Sequence, residues 1–188
     1  ICCRQLVPDA MTIVPNGCSA SLRPSGSPTF IDNSSFAVCI PNPPAIPQQP
    51  VSSTARSANT KTFTTKGFEP VSAPRALRTD ELPALVATYR RAARNAIDAG
   101  FDGVEVHGAN GYLLEQFLRD SINDRTDAYG GPVENRARLL VEVMHAITDE
   151  IGSARTGVRL SPVTPANDAQ PDSDPQALFN HVVEQLAP

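Results

Sequence analysis

Apolar side chains recur every three or four residues in three stretches of the second half of the chain, the spacing of amphipathic helices. The first lies between Asp80 and Gly100. We expect Asp80 to cap a helix that has Pro83 in its first turn, and Gly100 to end that helix. The second covers about 133–150, and the third begins at Pro175 behind Asp174. The predicted buried positions are Leu82, Leu85, Val86, Tyr89, Ala93, Ala96 and Ile97, then Val133, Ala137, Leu140, Met144, Ile147 and Ile151, then Leu178, Val182, Val183 and Leu186.

Two short segments that precede the second and third helices alternate in polarity as strands do. In FDGVEVH, residues 101–107, the two valines share one face, and Glu105 and His107 share the other. In TGVRLS, residues 156–161, the valine and leucine share a face and Arg159 points the opposite way. We expect the apolar faces to pack under the helices and the polar faces to point into the interior of a barrel.

The order of these elements is helix, strand, helix, strand, helix, which is typical of a parallel sheet built from βα units. Neither strand is followed by the Gly-x-Gly-x-x-Gly fingerprint of a dinucleotide-binding fold. The predicted fold is therefore α/β, a partial (β/α)8 (TIM) barrel of about two to three βα units, since a whole barrel needs roughly 250 residues and eight strands.

The first part of the chain has a different composition. Residues 1–50 hold nine of the 18 prolines and few charged residues, without a sustained period of 2 or 3.6. Proline lacks the backbone donor and restricts its predecessor, so IPNPPAIPQQP at 40–50 cannot be a helix or a central strand. We predict an irregular segment over 1–50, with a short strand near 35–40 at most, and a barrel-like unit over 51–188.

Charge and hydropathy narrow the class of protein. The net charge is −4, and acidic and basic residues are interleaved, so no basic footprint for nucleic acid is present. No apolar run approaches the roughly 18 residues that span a bilayer, and the N-terminus does not resemble a signal peptide. We expect no nucleic-acid partner, no membrane span and a cytoplasmic location.

The four cysteines, Cys2, Cys3, Cys18 and Cys39, all lie near the N-terminus. They form no Cys-x-x-Cys pair and have no histidine nearby, so the spacing does not indicate a zinc site. Without a secretory context, a disulfide framework is not expected either. We interpret them as free thiols and predict no metal.

Candidate chemistry follows the first strand directly. His107 ends the strand, and Asn110 and Tyr112 follow in the loop HGANGY. In a (β/α)8 barrel the site lies at the carboxyl ends of the strands, where these three hydrogen-bonding side chains are placed. The residues alone leave two readings open, a functional site or a structural turn.

The chain resembles the Old Yellow Enzyme family, which includes the oxophytodienoate reductases, from about residue 48 to 188. FDGVEVHGANGYLLEQFLRDSINDRTDAYGGPVENRARLL looks like the central signature of that family, and PVSAPRALRTDEL and TGVRLSP fit as well. QQPVSSTARS fits more loosely, as the loop ahead of the first helix. The resemblance implies a partial flavin-dependent barrel, with FMN as cofactor, NAD(P)H as reductant and a small-molecule enone as substrate.

The resemblance also implies a role for each candidate residue. His107 and Asn110 correspond to the pair that donates hydrogen bonds to the enone oxygen, where negative charge develops as hydride adds to the β-carbon. Tyr112 corresponds to the general acid that protonates the α-carbon. Arg159 corresponds to the arginine near the pyrimidine edge of the flavin, where a cation stabilises the anionic reduced ring.

Structural alternatives remain open for each of these residues. His107 and Asn110 could form a hydrogen-bonded strand end, Tyr112 could pack against its loop, and Arg159 could only neutralise Glu105. For other motif residues we expect no chemistry. The loop TDAYGGPVENR is predicted to be architectural, with Gly130 and Gly131 turning the chain and Glu134 in the first turn of a helix, and His145 and His181 to be surface or packing residues.

Two hypotheses of different classes follow. We expect the strands that contact the flavin ring and those that hold its phosphate to lie outside the recognisable part of this sequence. Either the chain represents an FMN-dependent NAD(P)H:enone oxidoreductase, or it is a non-catalytic remnant or interaction fragment that cannot bind FMN.

Overall fold

The computed structural model describes residues 11–14 and 49–187. The strands are β1 (Met11–Val14), β2 (Val51–Ser52), β3 (Lys61–Thr64), β4 (Gly67–Pro70), β5 (Arg75–Ala76), β6 (Gly103–Gly108) and β7 (Thr156–Leu160). The helices are α1 (Leu82–Asp98), α2 (Leu113–Leu118), α3 (Val133–Ile151) and α4 (Pro175–Leu186).

The central sheet has the strand order β1-β6-β7. Strands β6 and β7 are parallel neighbours, with Val104 opposite Thr156 and Gly108 opposite Leu160. This confirms the predicted pair of parallel strands. Within the described ranges the sheet stays open and does not close into a barrel, which agrees with the prediction of a partial (β/α)8 fold.

Strand β1 was not predicted, and it pairs antiparallel with the other edge of β6. It lies within the segment predicted to be mostly irregular, and its direction differs from the all-parallel arrangement of a complete (β/α)8 barrel. The strand suggested near 35–40 lies outside the described residues.

The three predicted helices are present and pack beside β6 and β7, with α1 against α3 and α3 against α4. Val104 and Val106 are 2% and 0% exposed beneath them, as the strand alternation predicts. Two positions of α4 differ from the prediction, because Val183 is 58% exposed and Phe179 is buried instead. The fully buried hydrophobic side chains of this core include Leu82, Ala93, Val106, Phe117, Leu118, Ala137, Leu139, Leu140, Val143, Ile147, Leu178 and Val182.

The start of α1 corrects the prediction for Asp80. A 3-10 turn, Thr79–Glu81, leads into the helix, and Glu81 rather than Asp80 organises it. The Glu81 carboxylate accepts two bonds from the Arg75 guanidinium at 2.7 and 2.8 Å and one from the backbone N–H of Arg78 at 2.7 Å. The Arg75 bond, followed by the Arg78 bond, lowers the pKa of Glu81 to about 2. The N-cap position of α1 is therefore Glu81, one residue after the predicted Asp80, and no side chain of the described residues caps the α-helix there.

The other predicted helix ends are confirmed. Gly100 and Gly152 have φ of 92° and 90°, a conformation that glycine adopts without steric penalty. The Asp174 carboxylate accepts a 3.0 Å bond from the N–H of Ala177 and caps α4. Across the described residues, no helix is long and apolar enough to cross a membrane.

Several short elements were not predicted, namely helix α2, the strands β3 and β4, and the two-residue strands β2 and β5, which pair in parallel. Strands β3 and β4 form an antiparallel hairpin, on which Phe63 and Phe68 meet edge to face at 5.2 Å while both remain largely exposed. Helix α2 has six residues, less than two turns, which is too short for its period to register in the sequence. It nevertheless lies directly behind the candidate loop.

Candidate functional site

His107 occupies the last-but-one position of β6, at the carboxyl end predicted for it. The parallel register sets it opposite Arg159 of β7. The two side chains therefore share the face of the sheet that the helices do not cover. His107 is 6% exposed, whereas Arg159 is exposed to solvent.

The loop after β6 brings Tyr112 back to His107. Asn110 and Gly111 adopt left-handed conformations, with φ of 58° and 75°, and so reverse the chain within two residues. Tyr112 is the N-cap residue of α2, and its ring meets the His107 ring at 5.1 Å between centroids and 60° between planes. The structure thus places the imidazole and the phenol in contact, with Asn110 between them along the chain.

In this cluster the backbone of Asn110 is hydrogen-bonded, whereas one ring nitrogen of His107 is not bonded within the described part of the chain. The Nδ1 atom of His107 is buried and has no hydrogen-bond partner among the residues that the structure describes. The backbone N–H and C=O of Asn110 bond Ser161 Oγ and Asn167 Nδ2 at 2.9 and 2.8 Å. Buried polar groups are nearly always paired, so an unpaired imidazole nitrogen beside a phenol fits the binding of a ligand with a polar oxygen.

Arg159 forms no ion pair within residues 49–187. Glu105, the partner considered from the sequence, pairs in register with Gly157 and not with Arg159. The described residues therefore show no neutralised Arg159–Glu105 pair. A cation without an ion-pair partner among the described residues suits a ligand that carries or develops negative charge.

Burial and then the nearby Arg159 cation lower the pKa of His107 below its ordinary value. Both effects disfavour the imidazolium. At neutral pH the ring is accordingly neutral, and it presents one N–H donor and one acceptor. A neutral ring in this place can donate to a ligand oxygen without transferring a full proton.

The His107 pKa yields a direct prediction. In an NMR titration of the chain, the His107 ring is expected to protonate with a midpoint below about 6.5. The unfolded chain binds that proton first, so the free energy of unfolding should fall as pH drops from about 6.5 through the folded-state pKa. In Arg159→Gln the midpoint should rise only in part, because burial is the larger cause. A midpoint at or above about 6.5 in the wild type would contradict this placement.

A charged network behind the loop was not predicted. Glu115 and Arg119 are both 0% exposed and are joined at 2.8 Å, and Ser161 Oγ donates to the same carboxylate at 2.5 Å. The available signal was an acidic and a basic residue four positions apart in LLEQFLR, which pair on a helix face. Sequence spacing could not show that the pair is buried.

The loop TDAYGGPVENR is architectural in the structure, as predicted. Arg125 donates to the carbonyls of Ser53 and Leu77 and binds Asp127, whose pKa the arginine holds well below the usual range. A Cβ atom on Gly130 would lie 2.1 Å from the Arg125 carbonyl oxygen, so only glycine fits there.

The first turn of α3 agrees with the prediction, because it contains Glu134. His145 is exposed and His181 is half-buried, as expected for surface or packing residues. Among the described residues, no group of three or more metal-ligating side chains is present.

Comparison with known proteins places this geometry in a family. The sequence model of the NADH:flavin oxidoreductase / NADH oxidase family matches residues 40–187. The chain is 61% identical over 115 residues to 12-oxophytodienoate reductase 1 of Oryza sativa subsp. japonica, covering 61% of this chain and 30% of that protein. It spans about a third to a half of the length of the curated relatives it matches.

Solved structures agree with the sequence match. The old yellow enzyme homologue from Zymomonas mobilis superposes with a TM-score of 0.72 at 47% identity, covering 74% of this chain and 39% of that one. Morphinone reductase in complex with tetrahydroNAD gives a TM-score of 0.69 at 43% identity, covering 74% and 40%. With most of its length matched by the family and its fold shared with Old Yellow Enzyme structures, the chain belongs to the NADH:flavin oxidoreductase / NADH oxidase family.

Proposed function

We propose that residues 51–187 are the substrate-binding part of an FMN-dependent NAD(P)H oxidoreductase that reduces the activated C=C bond of a small-molecule enone. The observation that carries this proposal is the cluster at the carboxyl end of β6. There a buried imidazole nitrogen without a partner lies beside a phenol, on the open face of the sheet. The cytoplasm remains the location expected from the sequence.

Reduction of an enone adds a hydride at the β-carbon and a proton at the α-carbon. Negative charge passes to the carbonyl oxygen between these events, so donors held at that oxygen stabilise the transition state. His107 and Asn110 are the residues assigned to bind that oxygen, and a neutral His107 suits the task because it binds without protonating the oxygen. Tyr112, in contact with the imidazole, is assigned to deliver the proton to the α-carbon.

The residues present fit a flavin on the same face. FMN supplies the hydride chemistry when it is bound, and NAD(P)H is the reductant that replenishes it. Arg159 is the described residue assigned to the flavin, because it is an exposed cation without an ion-pair partner, in register with His107. The family of the chain and the tetrahydroNAD complex of morphinone reductase support a flavin and a nicotinamide.

The test uses a hybrid barrel in which residues 51–187 replace the equivalent segment of a complete relative. After chemical reduction of the flavin, the rate of reoxidation by an enone is measured. Asn110→Asp keeps the shape of the side chain and its tolerance of the left-handed backbone, but removes the donor. We expect a loss of about 100-fold or more, the effect of deleting one such donor.

Asn95→Asp on the exposed surface of α1 is the matched control and should leave that rate unchanged. An enone rate in Asn110→Asp equal to that of the control would remove the assigned role and, with it, the support for an ene-reductase.

A second candidate function is that of a fragment that cannot hold FMN by itself. The open sheet favours it, since Arg159 is the one described residue assigned to the flavin and the face that carries it is uncovered. An exposed charge contact contributes on the order of 1 kcal/mol, whereas micromolar binding requires about 8 kcal/mol.

We therefore expect the isolated chain to bind FMN no more tightly than about millimolar, and to show no NAD(P)H oxidation. Quenching of flavin fluorescence on titration of FMN into the purified chain measures this. A saturable curve with a micromolar midpoint would show that the chain completes a flavin site by itself or by self-association, and would rule out the fragment hypothesis.

A further inference from the structure

The loop that carries Asn110 and Tyr112 has a backbone that needs to be held. Asn110 and Gly111 lie consecutively in the left-handed region, with φ of 58° and 75°. For a residue with a side chain this conformation is unfavourable unless the surroundings impose it. A shift of either residue would carry the Tyr112 ring away from the His107 ring and would redirect the Asn110 side chain.

Two successive backbone N–H groups of this loop donate into one buried network. The N–H of Asn110 bonds Ser161 Oγ at 2.9 Å, and the N–H of Gly111 bonds Glu115 Oε2 at 2.5 Å. Ser161 Oγ in turn donates to Glu115 Oε1 at 2.5 Å. One carboxylate therefore holds both amides, the second directly and the first through a hydroxyl.

The charge on Glu115 is balanced by Arg119, which also links this loop to the next one. Arg119 Nη2 binds Glu115 Oε1 at 2.8 Å and the Ser161 carbonyl at 2.5 Å. Other bonds reach the carbonyls of the loop after β7, on Thr164, Ala169 and Gln170. The network thus ties the end of β7, one residue beyond Leu160, to the loop after β6.

We propose that Glu115 and Ser161 are positioning residues for the substrate site, which fix the turn at Asn110 and Gly111, hold the Tyr112 ring against His107 and fix the direction of the Asn110 side chain. This inference rests on the proposed function for the role of those side chains. Neither positioning residue is assigned to touch the substrate. Each acts through a backbone amide of the loop.

Residue-resolved hydrogen exchange of the full chain, followed by NMR, separates this role from general stabilisation. Ser161→Ala leaves the Glu115–Arg119 pair and the Gly111 bond in place. We expect exchange of the Asn110 amide to rise several-fold to about tenfold, with the Gly111 amide unchanged. The test of the proposal relies first on this variant, because it leaves no buried charge without a partner.

Glu115→Gln keeps the shape of the side chain but removes the charge that both amides depend on. Exchange should rise at Asn110 and by about tenfold to a hundredfold at Gly111, since the charged acceptor is replaced by a neutral amide that keeps only one accepting oxygen. The matched control is Glu150→Gln, which removes a carboxylate bound by Arg90 and Arg94 far along α3. It should leave both amides unchanged.

A uniform rise across the β6 amides and the loop in Ser161→Ala, or no rise at Asn110, would overturn the proposal. If Glu115→Gln unfolds the chain, the Ser161→Ala pattern alone decides. The proposed function is tested separately, because failure of the enone measurements in the hybrid barrel would leave the exchange pattern intact.

Discussion

Replacing Tyr112 with phenylalanine in the hybrid barrel is expected to slow enone-dependent reoxidation of the flavin by about 10²–10⁴-fold, the usual contribution of a positioned general acid. The phenyl ring keeps the edge contact with His107 and loses only the hydroxyl. Reduction of the flavin by NAD(P)H should remain nearly unchanged, because the proton from Tyr112 is used only in the other half-reaction, in which the enone is reduced. Stopped-flow absorbance of the flavin resolves the two half-reactions.

Tyr129→Phe provides the matched control. Its hydroxyl donates to the Glu142 carboxylate at 3.0 Å, away from the site, so the same chemical change should leave both half-reactions intact. Equal slowing of both half-reactions by Tyr112→Phe, or no slowing, would contradict the general-acid role.

Replacing Arg119 with methionine is expected to have the largest effect on stability, a loss of about 3–5 kcal/mol in the free energy of unfolding. The methionine fills part of the volume but leaves Glu115 as a buried carboxylate without its cation. It also leaves several loop carbonyls without a donor. Urea denaturation of the full chain, with the wild type alongside, measures the difference.

Arg94→Met is the control for this change, because it breaks an ion pair with Glu150 in which the arginine side chain is 47% exposed. Such a solvent-screened pair contributes little to the free energy of unfolding. The double variant Arg119→Met with Glu115→Gln should recover part of the loss, since no buried charge then remains. An Arg119→Met loss no larger than that of Arg94→Met would mean that the network is not a buried charge pair.

The sequence by itself determined the elements whose patterns are long or whose turns have strict chemistry. Helices α1 and α3 have 17 and 19 residues, long enough for the 3.6-residue period to locate them. Gly100 and Gly152 marked their ends because their φ values are favourable for glycine alone. The alternation in β6 and β7 predicted that His107 and Arg159 would share a face, since side chains of a strand alternate regardless of context.

Only the tertiary structure decided how distant residues meet around the loop after β6. Ser161 lies 51 positions from Asn110, and the parallel register alone brings its hydroxyl to that backbone amide. Glu115 and Arg119 could have been an exposed helix pair, and their burial depends on α2 being enclosed by the loop after β7. Local pattern carries no information on such enclosure, because it arises from contacts between segments far apart in the chain. For the same reason the antiparallel partner of β6 could not be predicted. Met11–Val14 is a strand through its pairing with β6, in which Met11 lies opposite Val106 and Val14 opposite Gly103, far apart in the sequence.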